Sequence, residues 1–77
     1  MLLPRRRRLE RVTVNSSSIA AVGYDPARFV LEVEYVGGRI YRYLDVPPAV
    51  YRLLLKAPSA GYFVNTVVKP RFDCIRV

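Results

Sequence analysis

The stretch FVLEVEYVGGRIYRYL, residues 29 to 44, sets the tightest limit on what this chain can fold into. Phe29, Leu31, Val33 and Tyr35 fall on one side of an alternation, and Val30, Glu32, Glu34 and Val36 on the other. A two-residue period of this kind belongs to a half-buried strand. Gly37-Gly38 divides it from RIYRYL, and two strand-like runs split by Gly-Gly make a β-hairpin. Two registers compete. A tight two-residue turn sets Val36 opposite Arg39 and drives Arg42 onto the core face. A three-residue loop with Gly38 left-handed sets Tyr35 opposite Arg39, so that Tyr41 meets Val33, Tyr43 meets Leu31, and Glu32 meets Arg42. An unpaired buried arginine costs on the order of several kcal/mol, whereas an opposite-charge cross-strand pair contributes a few tenths. A slip of one residue exchanges every side chain between faces, so the second register is expected.

The flanking segments extend this hairpin into one domain. VTVNSSS is a short extended start and a polar turn, and SIAAVGYD (18–25) is a first strand carrying β-branched Ile19 and Val22. DPAR is a turn in which Asp25 bonds back to the backbone and Pro26 presets the second position. In DVPPAVYRLLLKAPS the prolines Pro47 and Pro48 suit the first helical turn, Asp45 favours the positive end of the dipole, and Pro58 stops the helix. Val50, Leu53, Leu54 and Ala57 fall at i, i+3, i+4 and i+7, which predicts that Leu53 and Leu54 pack between helix and sheet. Ser59 caps a second short helix, AGYFVNTVVK, whose β-branched residues weaken it and which Pro70 ends. RFDCIRV is a short extended tail with the character of an edge strand. The expected fold class is α+β: a small antiparallel three-stranded β-meander packed by one or two short helices. Residues 1–13 are expected to form a basic flexible arm and residues 14–77 a single domain.

Seventy-seven residues support one domain with a thin stability margin. There is no apolar run of membrane-spanning length, and MLLPRRRR lacks the apolar stretch of a secretory signal. The single cysteine, Cys74, excludes an internal disulfide and a cysteine-based zinc cage. The absence of histidine removes Ser-His and Cys-His nucleophile pairs and the usual metal ligands. No cofactor or metal is expected, no membrane partner, and a cytoplasmic location is the default. Charge is distributed unevenly. Residues 1–11 carry a net +4 and the remaining 66 a net +3. Such an excess fits a polyanionic partner. Arginine outnumbers lysine eleven to two, and Arg forks bind phosphate bidentately and stack on flat rings, although a compositional bias toward arginine accounts for the ratio equally well.

The chain resembles the KTSC family. The resemblance runs from residue 14 to 77 and includes a central Tyr-x-Tyr, here Tyr41-Arg42-Tyr43, with VGYD at 22–25, VPP at 46–48 and a Ser-x-Gly at 59–61. Domains of this family stand alone in small bacterial and phage proteins and at the C-terminus of some lysyl-tRNA synthetases. The resemblance implies the small α+β fold, and the synthetase attachment implies RNA rather than DNA as a partner.

On this reading the protein is a non-catalytic nucleic-acid-binding module. Arg5, Arg6, Arg7, Arg8 and Arg11 in the arm, and Arg39, Arg42 and Arg52 on the body, contact phosphates, while exposed edges of Tyr41 and Tyr43 stack a base. Plainer readings stand beside each element: the arm as a solvated tail, the body arginines as ordinary surface charge, and the two tyrosines as core cover with hydroxyls at a polar edge. Ser16, Ser17 and Ser18 are a turn rather than a nucleophile, since no base accompanies them. The alternative function is a protein-interaction module or a small homo-oligomer using a sheet edge or an apolar helix surface. An enzyme is the third reading, against which stand the missing histidine, the missing glycine-rich phosphate loop and the missing acid pair.

Overall fold

A computed structural model describes residues 11–14 and 16–77. Its elements are β1 (Arg11–Thr13), β2 (Ile19–Asp25), β3 (Val30–Tyr35), β4 (Ile40–Tyr43), α1 (Pro48–Lys56), α2 (Ala60–Phe63) running into a π-helical turn (Val64–Val68), and β5 (Cys74–Arg76). The strands form one antiparallel sheet in sequence order, β1-β2-β3-β4-β5. The sheet therefore has five strands where three were expected. The two additions are three-residue edges, too short for a two-residue period to register. Arg11–Thr13, expected in the flexible arm, pair with β2 instead. Among the described residues no helix is long and apolar enough to cross a membrane.

The hairpin takes the register that electrostatics favoured. Leu31 lies opposite Tyr43, Glu32 opposite Arg42, and Val33 opposite Tyr41. The Tyr35 amide donates to the Arg39 carbonyl and the Gly38 amide to the Tyr35 carbonyl, at 2.8 and 2.9 Å. Gly37 and Gly38 both have positive φ, 107° and 99°, a region that only glycine enters without strain. In β2 a bulge at Ala20 resolves a pattern that lacks alternation. Ile19 pairs with Tyr35 and Ala21 with Glu34, so the extra residue lets Ile19 and Val22, three apart, both enter the core.

The core lies between one sheet face and the β4–β5 connection, and comprises Ile19, Val22, Leu31, Val33, Tyr43, Val46, Leu54, Ala60, Val64 and Val68. In α1 the buried stripe is rotated from the expected one. Leu54 is buried, with half-buried Val50 and Tyr51 beside it, but Leu53 is 57% exposed. Tyr51 takes the place assigned to Leu53: its ring stacks on Tyr24 at 5.0 Å, and the Tyr24 hydroxyl donates to the Val46 carbonyl. An aromatic pair on the sheet thus sets the roll of the helix, which an apolar count over LLL does not reveal. Asp45 is not a cap. It is exposed at φ 59°, and Pro47 occupies the cap position without a side-chain bond. Phe29 also departs from its expected face. It turns at φ 58°, half-exposed, and its carbonyl accepts from the Val46 amide at 2.8 Å. Ser59 caps α2 by accepting from the Tyr62 amide, and Asp25 closes its turn by accepting from the Ala27 amide. A Cβ on Gly61 would lie 2.5 Å from Ser18 Oγ, so a side chain there would require the Ser18 hydroxyl to turn aside.

Among the described residues the opposite sheet face holds one buried charge. Glu32 is 1% exposed, and its two oxygens divide between two guanidiniums: Arg11 Nε donates to Oε1 at 2.7 Å and Arg42 Nε to Oε2 at 2.8 Å. Arg11 also reaches Glu34 at 3.3 Å. Residue 23, between Arg11 and Glu32 in the cross-strand row, is a glycine, and no side chain stands between them. Burial raises the Glu32 carboxyl pKa, but hydrogen bonds and charges from Arg42 and Arg11 outweigh it, leaving the pKa below its ordinary value of 4.5.

Two stability predictions follow the packing. Leu54→Ala should cost about 2–5 kcal/mol, while Leu53→Ala should stay within about 0.5 kcal/mol of the parent, as read by urea denaturation. Equal losses at the two positions would put the stripe back at Leu53. Glu32→Gln leaves two guanidiniums short of a counter-charge and should cost about 2–4 kcal/mol. Because folding lowers the Glu32 pKa, its stabilisation is complete above 4.5 and is lost as pH falls through the folded-state value. Glu32→Gln should remove that part of the acid-side decline in melting temperature; an unchanged acid limb would assign the decline to other carboxylates.

Candidate nucleic-acid interface

On the helix-covered face, at its β4–β5 end, the side chains leave a cavity of about 430 Å³. The strand period supplies its floor: Tyr35 from β3, and Tyr41 and Tyr43 two residues apart on β4. Arg39 enters from the end of the Gly-Gly loop. The opposite wall comes from the other half of the domain. From Val64 to Val68 the helix widens, the Lys69 amide donating to the Val64 carbonyl five residues back, and Lys69 and Phe72 lie beyond this turn. β-Branched Val64, Thr66, Val67 and Val68, which weaken the helix in sequence, coincide with the widening. Cys74 on β5 completes the lining.

The three tyrosines play different parts. Tyr43 is 2% exposed and belongs to the core, with its hydroxyl 3.1 Å from that of Tyr35. Burial, reinforced by the hydrogen bond to Tyr35, pushes the Tyr43 phenol well above its ordinary value, so it remains protonated. Tyr35 and Tyr41 are half-buried and meet edge to face, centroids 5.6 Å apart at 83°. The Lys69 ammonium stands 5.7 Å from the centre of the Tyr35 ring, a cation–π contact. Among the described residues no carboxylate lines the cavity. With a neutral phenol pair, aromatic rings and two cations, the arrangement is suited to holding a flat, anionic molecule.

The structure sorts the expected site residues into separate groups. Arg39, Tyr41 and Tyr43 come together at the cavity. Arg42 does not join them: it lies on the opposite face, bound to Glu32, because neighbouring residues in a strand point to opposite sides. Arg11 is bound to the same carboxylate. Arg52 is exposed on α1, outside the cavity. Arg5, Arg6, Arg7 and Arg8 lie outside the described residues. Tyr35, Lys69, Phe72 and Cys74 were not in the expected site. Tyr35 was visible on the face of Leu31 and Val33; the other three lie more than thirty residues further on, with no period linking them to it.

Comparison with known proteins agrees with this architecture. The KTSC domain model matches residues 15–72. A protein of Tsukamurella paurometabola is 52% identical over 62 residues, covering 80% of this chain and 92% of that one, and an uncharacterised protein of Stutzerimonas stutzeri is 48% identical over 63 residues, covering 82% and 89%. A lysine–tRNA ligase of Nostoc punctiforme is 36% identical over 56 residues, which are 73% of this chain and only 10% of the ligase. The crystal structure of a KTSC domain protein from Yersinia pestis superposes with a TM-score of 0.84 at 35% identity, covering 91% of this chain and 99% of that one. The chain belongs to the KTSC domain family.

Proposed function

We propose that this protein is a non-catalytic nucleic-acid-binding module, with RNA its preferred partner, and that its body binds through the tyrosine cavity. One observation carries the reading: Arg39 and Lys69, which form no ion pair among the described residues, stand beside half-buried aromatic rings, while Arg11 and Arg42 are engaged by Glu32 on the other face. Cations free of carboxylates beside aromatic rings are what a single strand needs, phosphates on the cations and bases on the rings. The arginine run at residues 5–8 adds charge without sequence preference. The ligase similarity supports RNA, since that enzyme is named for a tRNA substrate.

A second reading rests on a different observation. β5 is a three-residue edge strand whose Ile75 is 52% exposed, with Val77 just past it 62% exposed, a surface on which another chain can add a strand. That reading makes the protein an interaction module or a homo-oligomer.

Titrating a labelled single-stranded RNA at several salt concentrations separates the two. Four arm arginines on phosphates give a log–log slope of about −3 from the arm alone. Deleting residues 1–8 should remove that share and leave the fold intact. Replacing Arg39 and Lys69 together by Gln should flatten the remaining slope by about 1.4. No binding at low salt, together with a salt-insensitive dimer in sedimentation, would move the interaction reading ahead.

A further inference from the structure

We infer that the cavity takes one unpaired nucleobase, turned out of its strand, with the adjoining phosphates on Arg39 and Lys69. The inference rests on the nucleic-acid reading and goes further, because charge alone requires no cavity. The site is an open groove of about 430 Å³, wide enough for a base, and it is flanked by side chains from β3, β4, β5 and the turn after the π helix. A base stacked within a duplex does not reach such a space; an unstacked one does. The rings are set for it. Tyr35 and Tyr41 meet edge to face, so the ring that presents its edge keeps both faces clear of its partner, Lys69 stands over the Tyr35 ring, and Phe72 adds an apolar ring to the wall.

The phenol pair supplies the polar contact. Tyr35 and Tyr43 share one hydrogen bond, which uses one hydroxyl hydrogen and leaves the other free to donate. A carbonyl or ring nitrogen on a base edge accepts such a donor. Among the described residues no carboxylate in the lining opposes the phosphates that flank the base. The protein should therefore bind single strands in preference to duplex, and bind bases as well as backbone.

Cys74 makes the inference testable on the intact protein. It is the chain's sole cysteine, it is exposed, and it lines the cavity. Its rate of alkylation by a small maleimide thus reports whether the cavity is filled. The experiment compares a short oligouridine with a strand of equal length and charge whose central nucleotides are abasic, both at low salt. The strand with bases should bind roughly five- to 150-fold more tightly, the span that stacking one base provides. At saturation it should slow Cys74 alkylation in proportion to the fraction bound, and the abasic strand should not. Tyr41→Phe, which keeps the ring, should preserve the discrimination. Cys74→Phe, which fills the cavity from an exposed strand position, should abolish it without unfolding the domain. Equal affinity for the two strands, or equal protection of Cys74, overturns the base pocket while leaving backbone binding in place. No binding of either strand overturns both readings.

Discussion

One carboxylate organises the sheet. Glu32 is buried on the face away from the helices and is held by Arg11 from β1 and Arg42 from β4. A lone carboxylate so placed would cost several kcal/mol, roughly the whole margin of a domain this small. The same group with two guanidiniums becomes a clamp across four strands, passing over Gly23 of β2 on its way to Arg11. Its effect is as much on specificity as on stability. A hairpin slipped by one residue would strand Glu32 away from Arg42 and carry Tyr41 and Tyr43 to the wrong face. The tyrosine cavity exists on one side because the ion cluster exists on the other.

The two faces therefore divide the protein's charge. On the outer face, arginine and glutamate neutralise one another. On the helix side, Arg39 and Lys69 are left beside aromatic rings with no carboxylate among the described residues of the lining. The same residue type thus serves two purposes, and only the side of the strand distinguishes them. Counting arginines along the chain overstates the body's share of a phosphate-binding surface, because two of them are already committed within the fold.

The remaining wall depends on the connection after β4. Tyr24 and Tyr51 stack α1 on the sheet, Ser59 starts α2, and the π turn carries the chain over the rings to Lys69, Phe72 and β5. β5 is short, at the sheet edge and exposed along its length, held by its ladder to β4 and by bonds such as that from the Leu44 amide to the Asp73 carbonyl. Such an element opens at lower free energy than the core strands. A cavity with one secure wall and one lightly held wall is suited to admitting a bulky group.

The hairpin, its register, the facing of Tyr41 and Tyr43, the Asp25 turn and the Ser59 cap were all legible in the sequence, because each depends on residues near in the chain and on a local rule of period or hydrogen bonding. The family was legible for a related reason: its short motifs mark a cap, a turn, a helix start and a strand. Three things were not. The roll of α1 was decided by Tyr51 stacking on a tyrosine 27 residues earlier, which exposed Leu53. The C-terminal tail was read as an edge strand, but β1 was decided by pairing, since three residues carry no period of their own. The pairing of Arg42 with Glu32 followed from the hairpin register, but the commitment of Arg11 to the same carboxylate, and the meeting of Lys69, Phe72 and Cys74 with the tyrosines, were decided by which segments the folded sheet brings side by side. The sequence determined what each short segment prefers; the tertiary structure decided which charges were neutralised and which rings were left uncovered, because those depend on neighbours distant in the chain.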